Sequence, residues 1–302
     1  MATITAALVK QLREMTDSPM MECKKALVEA DGDLEKAVDV LRKMGIAKAV
    51  KRAGRDTNEG TVAAYISEDG KSGALLELTC ETDFVGTNPK FTGFAAKLAE
   101  VVAKNDPADV DALKSLELGG STVEAELTEM IHVIGENMKV NRFKRVSVES
   151  GALASYIHLG GKLGDIVTFT FNNDATAQND EFKTFAHDVA MQVAAANPAA
   201  ARREDVDADV VAREKAIYMA QAAESGKPEA IQERMAQGKL EKFYKENVLT
   251  EQDFIKDGSV TVSQLAEQVS KSCGDEIKVA GFERFAFGDE SFLINPIKSR
   301  RL

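Results

Sequence analysis

Residues able to do covalent chemistry are few and scattered. The 302 residues hold three cysteines (Cys23, Cys80, Cys273) and three histidines (His132, His158, His187). The cysteines are odd in number, far apart and outside any metal-ligand spacing. They fit reduced, mostly buried thiols in a cytosol better than disulfides or zinc. His132 and His187 fall in predicted helices and match no metal or triad arrangement. No glycine-rich phosphate loop and no Ser/His/Asp set is apparent. The expectation is a protein that is not an enzyme, needs no cofactor and holds no metal, so its chemistry is that of recognition.

Composition sets the class. Hydrophobic residues make up 44% and charged residues 29% of the chain, the range of a soluble globular protein. No secretory signal and no bilayer-length apolar run is visible, which predicts a cytoplasmic protein without a membrane partner. The net charge of -11 is uneven: residues 1–55 carry 11 Lys/Arg against 8 Asp/Glu, leaving -14 for the remainder. An acidic body argues against direct nucleic-acid binding. The basic amino end could meet an acidic protein surface, or could be a solvated helix face.

Residues 1–55 read as three short helices. Ile4, Leu8, Leu12 and Met15 share one helical face, and Thr16-Asp17-Ser18-Pro19 breaks the pattern. Met20, Cys23 and Leu27 are expected to face inward on a second helix, beside Lys24-Lys25. Asp33 is placed to cap a third, on which Leu34, Ala37, Val38 and Leu41 recur. This suggests a ubiquitin-associated-type (UBA-like) bundle, although the loop before Met20 lacks the Met-Gly-Phe/Tyr pattern that grips ubiquitin. Gly45 to Gly54 reads as a helical or flexible connector.

The elements that must position any functional side chain are repeated. Residues 60–108 match 151–199 without a gap, with 18 of 49 positions identical, which marks an internal repeat. Gly60, Ala63, Tyr65 and Ile66 match Gly151, Ala154, Tyr156 and Ile157; Phe91, Phe94 and Ala95 match Phe182, Phe185 and Ala186. The unit reads as strand, hairpin turn at Glu68–Lys71, strand, then an amphipathic helix. Two such units predict an α+β body.

A repeat separates scaffold from specialisation. Phe84 corresponds to Ala175 and His158 to Ser67. Alanine suffices in the second copy, so Phe84 is a candidate exposed aromatic of the kind that marks interfaces; the alternative is a satellite core residue. Asp83 is shared with Asp174, which keeps helix capping by Thr82 or Asp83 open.

The run Cys80-Glu81-Thr82-Asp83-Phe84-Val85 resembles the Thr-Asp-Phe-Val motif of the elongation factor Ts family. Met20-Met21-Glu22-Cys23-Lys24-Lys25-Ala26-Leu27, Ile134-Gly135-Glu136-Asn137 and Ser225-Gly226-Lys227-Pro228 resemble further motifs of that family, in order, over residues 1 to about 287. The resemblance implies a guanine-nucleotide exchange factor for elongation factor Tu (EF-Tu), met in its GDP-bound and nucleotide-free forms. It implies that Thr82, Asp83, Phe84 and Val85 reach toward the Mg²⁺ and nucleotide of that GTPase. Met20, Lys24, Ile134, Gly135 and His158 would form further contacts. For Lys24 and His158 an ordinary surface position is the alternative, and for Ile134-Gly135 a helix end, with Gly135 loosening the turn before a strand at Val140–Val148. In some members of the family the segment after Leu249-Thr250 carries an apolar pair that contacts the GTPase; this chain has Ile255 there, followed by Lys256.

Residues 203–245 read as a helical hairpin turned at Ser225–Pro228. The resemblance implies an inserted antiparallel coiled coil, which could serve self-association or simply be solvated. The expected layout is a UBA-like domain (1–55), a first repeated subdomain (56–150) and a second one in two parts (151–202 and 246–287). The hairpin (203–245) interrupts that second subdomain, and a tail (288–302) carries no assigned role. The competing function is a UBA-type adaptor or nascent-chain-binding module.

Overall fold

A computed structural model describes residues 3–288; the tail beyond Gly288 lies outside the described residues. Contacts divide the chain into two compact units. One holds the residues up to Thr61 and Leu76–Phe143, the other Val62–Leu75 and the residues from Lys144 on.

The first unit opens with α1 (Ala6–Thr16), α2 (Met20–Glu29) and α3 (Leu34–Arg52). Thr5 caps α1 by accepting the Leu8 N–H, and Asp33 caps α3 by accepting that of Lys36. Val9, Leu12, Cys23, Ala26, Leu27, Ala37 and Leu41 form the buried core of this bundle. Met15 and Met20, expected on inward faces, are instead 58% and 52% exposed. They flank the turn at Asp17, and the buried stripe of α2 is Cys23-Ala26-Leu27. The Gly45 to Gly54 connector is helical as far as Arg52, because α3 continues through Gly45 and packs against a later helix.

Strands β1 (Glu59–Ile66) and β2 (Ser72–Cys80) follow, with their hairpin end, Val62–Leu75, counted in the second unit. A single turn, α4 (Asp83–Gly86), leads into α5 (Pro89–Asn105), which starts on an Asn88 cap with proline in its first turn. Then come α6 (Val110–Lys114), the small hairpin β3 (Glu117–Leu118) and β4 (Ser121–Thr122), α7 (Val123–Ile134) and β5 (Met138–Ser147). The sheet order is β1-β2-β5. On α5, Phe91, Phe94, Ala95, Leu98, Ala99 and Val102 are buried, as their spacing predicts.

The second unit contains β6 (Gly151–His158), β7 (Leu163–Thr170), α8 (Asp180–Ala196), α9 (Ala208–Ala223) and α10 (Glu229–Asn247). It finishes with β8 (Asp253–Phe254), β9 (Asp257–Thr261), α11 (Val262–Cys273) and β10 (Lys278–Ala286). The sheet is ordered β10-β7-β6 and antiparallel, and α8 packs on it. The Phe169 ring meets Phe182 and Phe185 edge-on at 5.5 and 5.6 Å. Helices α9 and α10 pack against each other across the turn at Gly226.

The duplication extends well past the self-match in sequence. Each copy continues with a two-stranded hairpin (β3-β4, β8-β9), a helix capped by threonine (Thr122, Thr261), a left-handed glycine closing that helix (Gly135, Gly274), and a strand pairing with the middle strand of the sheet. In the second copy α9 and α10 are inserted before that continuation. Matched Gly60 and Gly151 share φ values of 151° and 147°. A Cβ on Gly151 would lie 1.9 Å from the Phe169 carbonyl oxygen, so the shared glycine belongs to the scaffold.

Candidate functional site

The site is built where β2 hands over to α4. Thr82 has extended backbone, and its hydroxyl oxygen accepts the Val85 N–H at 3.4 Å, which makes it the N-cap of α4. The capping role therefore falls to Thr82. The Asp83 carboxylate accepts the Phe84 N–H at 2.9 Å and stays exposed. Val85 and Gly86 are buried and anchor the turn from below; a Cβ on Gly86 would come within 3.3 Å of the Gly60 carbonyl oxygen. Phe84 is left 83% exposed. A phenyl ring in water forgoes the roughly 1.5–3 kcal/mol its burial would contribute.

A second junction grips this one. Helix α7 ends on Gly135 at φ 93°, and the next residue, Glu136, reaches back to the end of β2. One Glu136 oxygen accepts the Glu81 and Thr82 N–H groups at 3.1 and 3.0 Å. The other accepts the Thr82 hydroxyl at 2.6 Å. In return the Glu81 carboxylate accepts the Asn137 N–H at 2.6 Å, and Asn137 Nδ2 donates to the Arg55 carbonyl at 2.8 Å. Hydrogen bonds to an ionised carboxylate contribute about 1.5–3 kcal/mol each. The sequence did not single out Glu136, Glu81 or Asn137 as the residues that join these junctions; the signal was their place inside the quoted motifs.

The second copy repeats the grip. Asp275, following Gly274, accepts the Asn172 and Asn173 N–H groups at 3.1 and 2.8 Å and the Thr176 hydroxyl at 2.8 Å. These bonds hold its carboxyl down at a pKa of about 2. What it holds is a short 3₁₀ turn, Asp174–Gln178, with Ala175 where the first copy has Phe84.

Within the first unit, Met20 and Lys24 lie exposed on α2. Lys90 of α5 pairs with Asp17, in the turn just before Met20, at 2.9 Å. Ile134 and Gly135 are half-buried at the end of α7. Among the described residues no group of three His, Cys, Asp or Glu side chains could hold a metal ion.

A family described as "Elongation factor TS" matches residues 81–289. The elongation factor Ts of Clostridium perfringens (strain SM101 / Type A) is 47% identical over 287 residues, covering 95% of this chain and 93% of the relative. That of Desulfovibrio desulfuricans is 45% identical over 292 residues, covering 96% of this chain and all of the relative. The chain belongs to the elongation factor Ts family. It is accordingly a translation elongation factor, and no described helix is long and apolar enough to cross a membrane.

Two family-implied contact residues lie in the second unit. His158 is exposed at the end of β6, its Nδ1 2.9 Å from the Tyr156 hydroxyl and its ring stacked on Tyr156 at 5.7 Å. Ile255, 44% exposed, sits at the β8-β9 turn, with its N–H bound to Gln192 at 2.7 Å. The departure Lys256 pairs with Asp188 at 2.6 Å. Its aliphatic stem and charge thus stand where the resemblance implies an apolar neighbour.

Proposed function

We propose that this chain is a guanine-nucleotide exchange factor for EF-Tu, binding the GDP-loaded GTPase and releasing GDP to leave a nucleotide-free complex. The observation that carries the reading is Phe84: 83% exposed, yet mounted on a turn held by a cap and by buried Val85. An aromatic ring that is exposed and preorganised enters a partner at little ordering cost. Phe84 is the wedge, Asp83 stands beside it, and their target is the region of the Mg²⁺ and nucleotide. The chain performs no covalent step on this reading.

Magnitudes require help from elsewhere. A nanomolar nucleotide is held by about 12 kcal/mol. Loosening it about ten-thousand-fold takes about 5.5 kcal/mol of coupling. One buried phenylalanine supplies at most about 3 kcal/mol. Met20, Lys24, Ile134, Gly135, His158 and Ile255 are the proposed remaining contacts. Coupling is reciprocal, so GDP weakens the grip of this chain on EF-Tu by the same factor. The amino-terminal helices act as a UBA-like docking module and α9-α10 as a coiled-coil arm open to self-association. The setting is the cytoplasm.

The test is release of fluorescent GDP from EF-Tu. Micromolar chain should accelerate it many-fold; release at the intrinsic rate would overturn the reading.

A further inference from the structure

We infer that Glu136 is the positioning residue for Phe84: its carboxylate sets the angle and rigidity of α4, and so the rate at which the aromatic wedge displaces nucleotide. The inference rests on the exchange reading above and assigns that reading a residue outside the partner contacts.

The argument begins with hydrogen-bond polarity. An ionised carboxylate only accepts, so the Thr82 hydroxyl must donate its proton to Glu136 at 2.6 Å. A lone pair on the same oxygen is thereby turned to the Val85 N–H, the third amide of α4. The other Glu136 oxygen holds the Glu81 and Thr82 amides. Three bonds from one side chain therefore fix the two residues before Asp83. Phe84, two positions past Thr82, has no burial of its own to hold it. Its direction is inherited from that junction, whose geometry is set 54 residues downstream.

The duplication supplies an internal control. Asp275 makes the matching backbone bonds to Asn172 and Asn173, and its hydroxyl bond goes to Thr176, the counterpart of Val85 rather than of Thr82; the turn it holds bears Ala175. The clamp is scaffold in both copies; only in the first does it carry a wedge. A purely structural role predicts that loss of either clamp costs stability alone. A positioning role predicts that only loss of the Glu136 clamp costs exchange rate.

The experiment measures fluorescent-GDP release from EF-Tu at saturating full-length chain for the parent, Phe84→Ala, Glu136→Gln, the double variant and Asp275→Asn. Glu136→Gln should lower the maximal rate about tenfold, with the half-saturating concentration unchanged. The double variant should match Phe84→Ala alone, since Glu136 acts through Phe84. Asp275→Asn should release GDP at the parental rate. If Phe84→Ala exchanges normally, the wedge reading itself fails. If Phe84→Ala is slow but Glu136→Gln is normal, multiplies the defect, or is matched by Asp275→Asn, the positioning inference is overturned while the wedge reading stands.

A second readout needs no exchange activity. The chain has no tryptophan, so Phe84→Trp places a single reporter on α4. Adding Glu136→Gln should enlarge the fast component of its fluorescence anisotropy decay, and adding Asp275→Asn should not. An unchanged decay with Glu136→Gln would overturn the inference even if the exchange rate falls.

Discussion

Buried His132 on α7 brings its Nε2 to 2.9 Å from the Glu22 carboxylate on α2, which Lys48 of α3 also meets. One acidic side chain on the helix that bears Met20 and Lys24 is thus shared by two later helices. The contact depends on Gly45, since a Cβ there would lie 2.6 Å from His132 Nδ1.

Gly45→Ala should therefore destabilise, although alanine is the better helix former. Overpacking against a buried imidazole costs about 1–3 kcal/mol, more than the roughly 1 kcal/mol gained in propensity. A fall in the urea midpoint checks this; a rise would show that α7 yields freely to α3.

Phe84→Ala should leave stability within about 0.5 kcal/mol of the parent, as expected for a surface substitution. GDP release should slow by at least tenfold. Thermal melting and exchange assays on the same preparation make the comparison, and a sharply lowered melting temperature would return Phe84 to the core.

Val85→Ala should do the reverse of Phe84→Ala in the melt. Its side chain is only 9% exposed beneath the wedge, so removing two methyl groups should cost about 1–2 kcal/mol. A loss of exchange without a loss of stability would instead make Val85 a contact residue.

Asp165 on β7 is buried opposite Arg284 in register, and burial outweighs that charge to push its pKa up to about 8. Native protein then stays protonated while the unfolded chain ionises. Stability from this group is complete below about pH 4 and falls as pH rises to about 8. Glu283, raised by burial against the lowering charge of Lys144, adds a slope of the same sign. The gap in urea midpoint between Asp165→Asn and the parent should widen toward the variant from about pH 4 to about pH 8; a constant gap would refute it.

Asp275 behaves oppositely. Its native pKa of about 2 lies below the ordinary 3.8, so its contribution is present above about pH 4 and lost as pH falls through about 2. Asp275→Asn should flatten that part of the acid-unfolding curve, followed by circular dichroism. An unchanged curve would mean the clamp survives protonation.

The chain on its own determined the units of this protein. Helical spacing placed Phe91, Phe94, Leu98 and Val102 on one buried face, the repeat set strand, turn and helix in order twice, and Phe84 stood out because its counterpart is Ala175. Local periodicity reports which face is apolar. It does not report which apolar positions a neighbour will cover, so Met15 and Met20 read as inward and emerged exposed. Only the tertiary structure brought Glu136 to Thr82 and Asp275 to Asn173, and carried the duplication through β5 and β10. Those links join residues 54 and 102 positions apart. A carboxylate's partner is fixed by where a distant helix ends, and no local pattern records it.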